Sequence, residues 1–328
     1  MARSCSIVLE YENASTHDVE TVGRVFCALE RQFAGRPIRG ENERDEVIVT
    51  LDTSKQSRDE VDRIVRHVAP RLLDLVDFRT ISCPGMRYYE LKNAGAATAT
   101  REIIVLLDSD SVPEDDWLET LLAPFVSRET IAATGHTYLG HDNFLSRVFA
   151  LVWIFPLRHD SPREIRRRAL NANNCAFRRD WFANHTFPSD AGFKTACSLL
   201  AAQLRDENVE LKKVPAFTRH EPLEGWKFLI WRAAVAGRDD DSRYATLRSS
   251  GRGDRVVRAC TRWVKQLLRS ARRVLLNYKA VGMPIYEILP AIVVAWGYYS
   301  ITFVAQLRSA VSGPRQEPEH VPDFVIRH

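Results

Sequence analysis

The sequence predicts an α/β protein: a Rossmann-type, mostly parallel sheet with helices on both faces, followed by C-terminal helices of a different character. Three observations predict it. Short apolar runs alternate four times with segments of helical period in the first 125 residues, the pattern of parallel strands joined by crossover helices. Those runs end in polar or acidic residues rather than hairpin turns, as strands bordering a ligand crevice do. The alternation loosens past Gly140, and basic and apolar residues segregate after Gly251.

Each element has its own signal. Ser6 to Tyr11 is a short apolar run that reads as a buried strand. Ser15 and Asp18 then have capping-box spacing, and Val19, Val22, Phe26, Leu29 and Phe33 recur at helical period. EVIVTLD is the second strand. Ser57 and Glu60 open a helix carrying Val61, Ile64, Val65 and Val68, which Pro70 stops. VDFRTI is the third strand, MRYYELKNAGAATAT a helix with a small-residue face, and EIIVLLD the fourth strand. Pro113 stands at the expected first position of a helix that turns Trp117, Leu118, Leu121 and Leu122 inward. Farther on, NFLSRVFALVWIFPLR is apolar, REIRRRALNANNCAFRRDWF is basic and then rich in asparagine, and a strand, a loop and an amphipathic helix follow from Leu211.

Composition narrows the class. With 45% hydrophobic and 27% charged residues, the 328-residue chain can bury a sizeable core and is not a disordered protein. Its six cysteines are scattered, with no CxxC pair, which points to reduced thiols rather than a disulfide framework or a thiolate metal site. The N-terminal MARSCSIVLEY lacks the apolar stretch of a secretory signal.

The C-terminal part reads differently. Val256, Cys260, Trp263, Leu267, Ala271, Val274 and Tyr278 fall on one helical face, and Arg255, Arg258, Arg262, Arg269, Arg272 and Arg273 crowd the rest. A basic amphipathic helix of this kind suits an anionic membrane surface. Ile288 to Leu307 contains no charged residue, about the length of one bilayer crossing. Together they predict membrane association, spanning or lying flat, with the main domain on the cytoplasmic side because the basic residues precede the apolar stretch. The alternative is a helix pair packed on the domain. Nucleic-acid binding is not expected, because the apolar face beside the arginines fits lipid better.

The chemistry is concentrated in Asp108-Ser109-Asp110, where the fourth strand ends. Two carboxylates held close raise each other's pKa, and a divalent cation removes that penalty. Oxygen ligands with open coordination positions favour Mg²⁺ or Mn²⁺. The plainer alternative is that Ser109, Asp110 or Ser111 caps the next helix.

Three stretches, SIVLEYENAS, VIVTLDTS and YYELKNAGAATATREIIVLLDSDSVPEDDWL, resemble the family-2 inverting glycosyltransferases of the GT-A fold. The likeness runs from Ser6 to Arg243, is strongest from Tyr88 to Phe125, and is supported by NANNCAFRRDWF, which is similar to the family's asparagine segment. It implies a GT-A-like domain over residues 1–250, with a nucleotide-sugar-binding half (1–125) and an acceptor half (126–250). After it come the basic amphipathic helix (251–282), the apolar membrane-associated or transmembrane segment (283–309) and a polar tail (310–328). The resemblance further implies a UDP- or GDP-sugar donor, a lipid or glycan acceptor and a Mn²⁺ or Mg²⁺ cofactor. By that analogy Tyr11, Glu12, Asn13, Asp52, Lys92, Asn93, Asp108 and Ser109 line the donor site. Asp108, Asp110 and His220 face the metal, with Asp110 the direct ligand, while Arg232 and Arg238 face phosphate or acceptor.

One departure stands out. Where the family carries an acidic pair as general base, this chain has FKTACSLL, and Asp190 is the nearest carboxylate. Two other classes therefore stay open: a nucleotide-sugar-binding protein without transfer activity, and a nucleotidyltransferase. The latter is opposed by the absence of glycine and lysine from EYENAS.

Overall fold

The computed structural model describes residues 4–16, 19–37, 40, 44–153, 155–158, 170–189, 193–221, 225–248 and 251–313. In chain order its elements are β1 (Cys5–Glu10), α1 (Val19–Ala34), β2 (Glu46–Leu51), α2 (Arg58–Val68), α3 (Leu72–Leu75), β3 (Asp77–Ser82), α4 (Tyr88–Thr98), β4 (Ile103–Asp108), β5 (Ser111–Pro113) and α5 (Trp117–Leu122). Then follow β6 (Ala132–Leu139), α6 (Phe144–Val152), β7 (Asn174–Arg178), α7 (Arg179–Asn184), α8 (Phe193–Asp206), β8 (Leu211–His220), α9 (Trp226–Arg248), α10 (Arg252–Asn277) and α11 (Ile288–Ser312).

The strands form one eight-stranded sheet in the order β3-β2-β1-β4-β7-β6-β8-β5. Strands β3, β2, β1 and β4 are parallel, as the alternation predicts. Antiparallel pairing begins at β4–β7 and recurs at β6–β7 and β5–β8. Strands β1, β2 and β4 are buried along their whole length, which is why they read as apolar runs and not as alternating ones. Ile7, Leu9, Val49 and Val105 pack with Phe26, Leu29 and Trp117 in one core. Helix α4 presses closely on this sheet through Gly95, where an added Cβ would lie 2.4 Å from Val8 and 2.9 Å from Thr50. That is the small-residue face of the KNAGAAT segment.

The structure corrects the start of α5. Pro113 ends the short strand β5, whose residues Ser111–Pro113 pair with Thr218–His220, so it is not the first residue of a helix. The helix begins at Trp117, after Asp116 in the left-handed region (φ 57°) turns the chain. Ser57 does precede α2, without a side-chain capping bond. The expected capping residues Ser15 and Asp18 have side chains outside the described residues, as do the REIRRR segment and the tail beyond Gly313.

The described residues fall into two compact units. One takes in residues up to 137, those within 162–189, and 200–221; the other takes in those within 138–161, 190–199 and 222–328. The first holds the parallel strands and their core. The second has its own core, in which Phe149, Trp153, Phe228, Val274, Ala295 and Tyr298 meet.

Within this second unit part of the apolar face read along α10 turns inward, while Cys260 on it stays exposed. Trp263 stacks on Phe303 of α11 (5.0 Å between ring centroids), its indole donates to Ser300 Oγ (3.2 Å), and Val274 is fully buried. Three of the arginines also serve the fold. Arg255 bonds Asp241, and Arg258 and Arg262 pair with Asp240, all from α10 to α9. Periodicity marks an apolar face but does not say what covers it.

Candidate active site

The parallel register places the acids. Glu10 lies opposite Asp108 across β1 and β4, and Thr50 of β2 opposite Glu10. Three neighbouring strands therefore end together in polar groups, at the carboxyl edge where α/β sheets bind ligands. Asp108 and Asp110 are both buried, with 4% exposure. Neither is a helix cap: the N-cap of α5 is Asp116. His220 arrives through the sheet's far edge, because β8 pairs with β5 and Glu221 N–H donates to the Asp110 carbonyl (2.9 Å). The imidazole Nε2 then lies 3.5 Å from Asp110 Oδ2. Ligand atoms of Asp108, Asp110 and His220 all fall within 4.8 Å of one another.

Around this trio the site is electrostatically lopsided. Lys92 is fully buried and donates to Asp108 Oδ1 (2.7 Å) and to the Leu107 carbonyl (3.1 Å), with its ammonium over the Tyr88 ring. The Tyr88 hydroxyl lies 2.8 and 3.0 Å from the two Asp108 oxygens. Asp108 is thus held in place by Lys92 and Tyr88. Burial first, and then the negative charge of Asp108, push the Glu10 carboxyl well above its ordinary range, with Lys92 opposing. Glu10 in turn accepts from Glu12 N–H (2.9 Å) and Asn13 Nδ2 (3.0 Å), fixing the loop after β1. Two carboxylate sources and one imidazole suit a hard to borderline divalent ion such as Mn²⁺ or Mg²⁺. The cluster fits such a cation by the chemistry of its donors.

The remaining expected residues divide. Asp52 directly follows β2, and its Oδ1 accepts from Ser54 N–H (3.0 Å), Ser54 Oγ (2.6 Å) and Gly85 N–H (2.8 Å). Burial opposes ionisation there, but these bonds and Lys55 bring the carboxyl down to about 2. Tyr11 is buried in the sheet core, and burial raises its phenol. Asn93 spends its amide on the chain itself, donating to the Phe187 carbonyl (2.8 Å) and accepting from Phe187 N–H (3.1 Å). Ser109 is buried, and its hydroxyl finds no partner among the described residues. Asp190 lies outside the described residues. Arg232 and Arg238 belong to the second unit, where the Arg232 guanidinium covers Trp153 at 5.1 Å. Sequence reasoning misses Glu10 and Tyr88. Only the β1–β4 register exposes Glu10, and a lone tyrosine on a helix carries no signal for its partner.

A mostly parallel α/β strand core whose carboxyl edge carries a buried metal-type cluster is a frame suited to a nucleotide or other phosphate-bearing ligand. The chain belongs to glycosyl transferase family 2, whose profile matches residues 13–185, more than half of its length. It is a glycosyltransferase of the GT-A fold. PcManGT, a mannosyltransferase from Pyrobaculum calidifontis solved with GDP-Man and Mn²⁺, is similar over 95% of this chain and 88% of its own, with a TM-score of 0.59 at 15% identity. Glucosyl-3-phosphoglycerate synthase from Mycobacterium tuberculosis is similar over 74% of this chain and 79% of its own, with a TM-score of 0.47 at 13% identity. At 15% identity the first likeness speaks to shared fold. No curated protein is matched by this chain.

Proposed function

We propose that the protein transfers a sugar, with inversion, from a UDP- or GDP-sugar to a lipid or glycan acceptor at the cytoplasmic face of a membrane. The observation that carries the reading is the buried Asp108–Asp110–His220 cluster at the end of β4 in a family-2 chain. A divalent cation, Mn²⁺ or Mg²⁺, held there would neutralise charge on the departing nucleoside diphosphate, an effect worth several kcal/mol. PcManGT, solved with GDP-Man and Mn²⁺, sets the precedent for that cofactor.

The chain's own residues divide the work. Asp110 and His220 would hold the cation directly, and Lys92 and Tyr88 keep Asp108 aimed beside them. Asp52 stays ionised at neutral pH, ready to accept from a base or ribose hydroxyl. Glu12 and Asn13, fixed by Glu10, border the donor. Asp190 takes the acceptor hydroxyl proton in place of the family's acidic pair, and Arg232 and Arg238 serve the phosphate or acceptor. The single candidate membrane helix among the described residues, Ile285–Ser312, supports the membrane location and the lipid-linked acceptor class.

A thermal-shift panel of nucleotides and nucleotide sugars, with and without Mn²⁺, tests this directly, since a ligand that binds the folded state alone raises its stability. The true donor should stabilise in a Mn²⁺-dependent way that Asp110→Ala abolishes. No stabilisation by any nucleoside diphosphate would refute the donor assignment. If Asp190→Ala leaves transfer intact, the base is elsewhere while the metal site stands. A Mn²⁺-loaded protein that binds donor but never transfers or hydrolyses it would be the binding protein instead.

A further inference from the structure

We infer that α10 and α11 form one membrane-docking face that lies in the plane of an anionic lipid surface, so that α11 runs along the bilayer instead of across it. This rests on the membrane location proposed above and fixes its geometry.

The first ground is what α11 is packed against. Ala291, Ala295, Tyr298, Gln306, Ser309 and Ala310 are buried on one side of the helix. On that side it meets α9 at backbone distance: a Cβ added to Gly237 would lie 2.2 Å from the Thr302 carbonyl, and the Thr302 hydroxyl donates to the Ala233 carbonyl (3.2 Å). The same α9 carries Asp240 and Asp241, ion-paired to Arg255, Arg258 and Arg262 of α10. Were α11 to cross the hydrocarbon, this charged assembly would be drawn in with it, against the cost of removing charges from water. Its length alone would permit a span; its neighbours oppose one.

The second ground is the opposite side. Leu289, Val293, Trp296, Val304 and Val311 form one stripe along α11, each between 44% and 71% exposed. On α10 a second stripe, Val257, Val264, Leu268 and Leu275, recurs seven, four and seven residues apart, every member more than half exposed. Trp296 joins the two, its indole donating to the Leu267 carbonyl of α10 (3.1 Å). Tyr286 stands exposed just before α11. Contiguous apolar surface with tryptophan and tyrosine at its border is the composition of an interfacial helix.

Charge selects the occupant. Beside the α10 stripe, Arg258, Arg262, Lys265 and Arg269, with Thr261 and Gln266, line a groove of about 300 Å³. Lys265, Arg269 and Arg272 are exposed. Cations flanking an apolar stripe match acyl chains under anionic headgroups, each cation near the surface adding to the attraction.

Co-sedimentation of the full chain with vesicles of phosphatidylcholine, alone or mixed with phosphatidylglycerol, tests the inference. Binding should be at least about tenfold tighter to the anionic vesicles, weaken in high salt, and be fully extracted by alkaline carbonate. Leu268→Glu with Val293→Glu should weaken it about tenfold or more, while leaving unfolding temperature and Mn²⁺-dependent donor stabilisation unchanged. Lys265→Glu with Arg269→Glu, a milder pair, should remove the preference for anionic lipid. Carbonate-resistant protein with a protease-protected α11 would overturn the flat orientation in favour of a span. Self-association in light scattering, abolished by the Leu268→Glu pair and unaccompanied by vesicle binding, would assign the face to a second copy of the chain. A wild-type chain that ignores both vesicles sinks membrane attachment itself, and donor stabilisation measured alongside reports separately on the transferase.

Discussion

Two buried acidic clusters, one in each compact unit, use the same residue type to opposite ends. At the end of β4, Glu10, Asp108 and Asp110 crowd together, with Lys92 bonded to Asp108. On α9, Asp240 meets Arg243, Arg258 and Arg262, Asp241 meets Arg255, and Asp239 accepts from Thr195 Oγ1 (3.0 Å). The second cluster supplies its own counter-charge and ties α9 to α10. The first sets carboxyl groups against one another: burial, and then the charge of Asp108, raises the Glu10 carboxyl. Repulsion of that kind costs stability, and proteins keep such sites where a ligand supplies the missing sign.

Breaking each cluster should therefore give contrasting results. The largest effect belongs to Asp110→Ala, which should lower kcat/KM for sugar transfer about a thousandfold, near 4 kcal/mol. The same variant should unfold at or above the parent's denaturant midpoint without metal, because a repelling charge has gone. A marked loss of stability would erase the contrast. Lys92→Met comes next: stranding buried Asp108 should cost about 3 kcal/mol in urea unfolding, and added Mn²⁺ should recover part of it by replacing the missing cation.

Asp240→Ala should destabilise by about 2 kcal/mol, less than a fully buried pair because Arg258 and Arg262 keep some exposure. Donor affinity per folded molecule, from calorimetry, should not change. A loss of Mn²⁺-dependent donor binding in that variant would show that the two clusters are not independent.

The smallest effect concerns pH. The folded pKa of Asp52, about 2, lies below the unfolded value of about 4. Its contribution is therefore complete above about pH 4 and is lost as pH falls through 2. Asp52→Asn should flatten the stability–pH slope across that window and leave it unchanged near neutrality. An unaltered acid limb would mean that the bonds from Ser54 and Gly85 do not favour the charged form.

Much of the first unit is legible along the chain. Buried parallel strands have no polar face, so β1, β2 and β4 stand out as apolar runs, and a run that ends in acids marks the functional edge of the sheet. That pattern singles out Asp108 and Asp110, whereas His220 depends on the family likeness. The amphipathic character of α10 and the apolar run of α11 are equally visible, because the distribution of charge along a helix is a property of the sequence. The face that periodicity picks out is one half of a wider apolar arc: Trp263 and Val274 pack inward, while Val264 and Leu268 remain outside.

The sequence by itself determined the strand–helix alternation, the acid-tipped fourth strand and the amphipathic character of the C-terminal helices. All three are local patterns, set by the alternation of polar and apolar side chains over a few residues. Tertiary structure alone decided the partners: Glu10 beside Asp108, Lys92 beneath it, His220 brought to Asp110 by the β5–β8 pairing, and three arginines of α10 committed to the acids of α9. The reason is physical. A charge's role depends on the field of neighbours distant in sequence, and that field exists only once the chain has closed on itself.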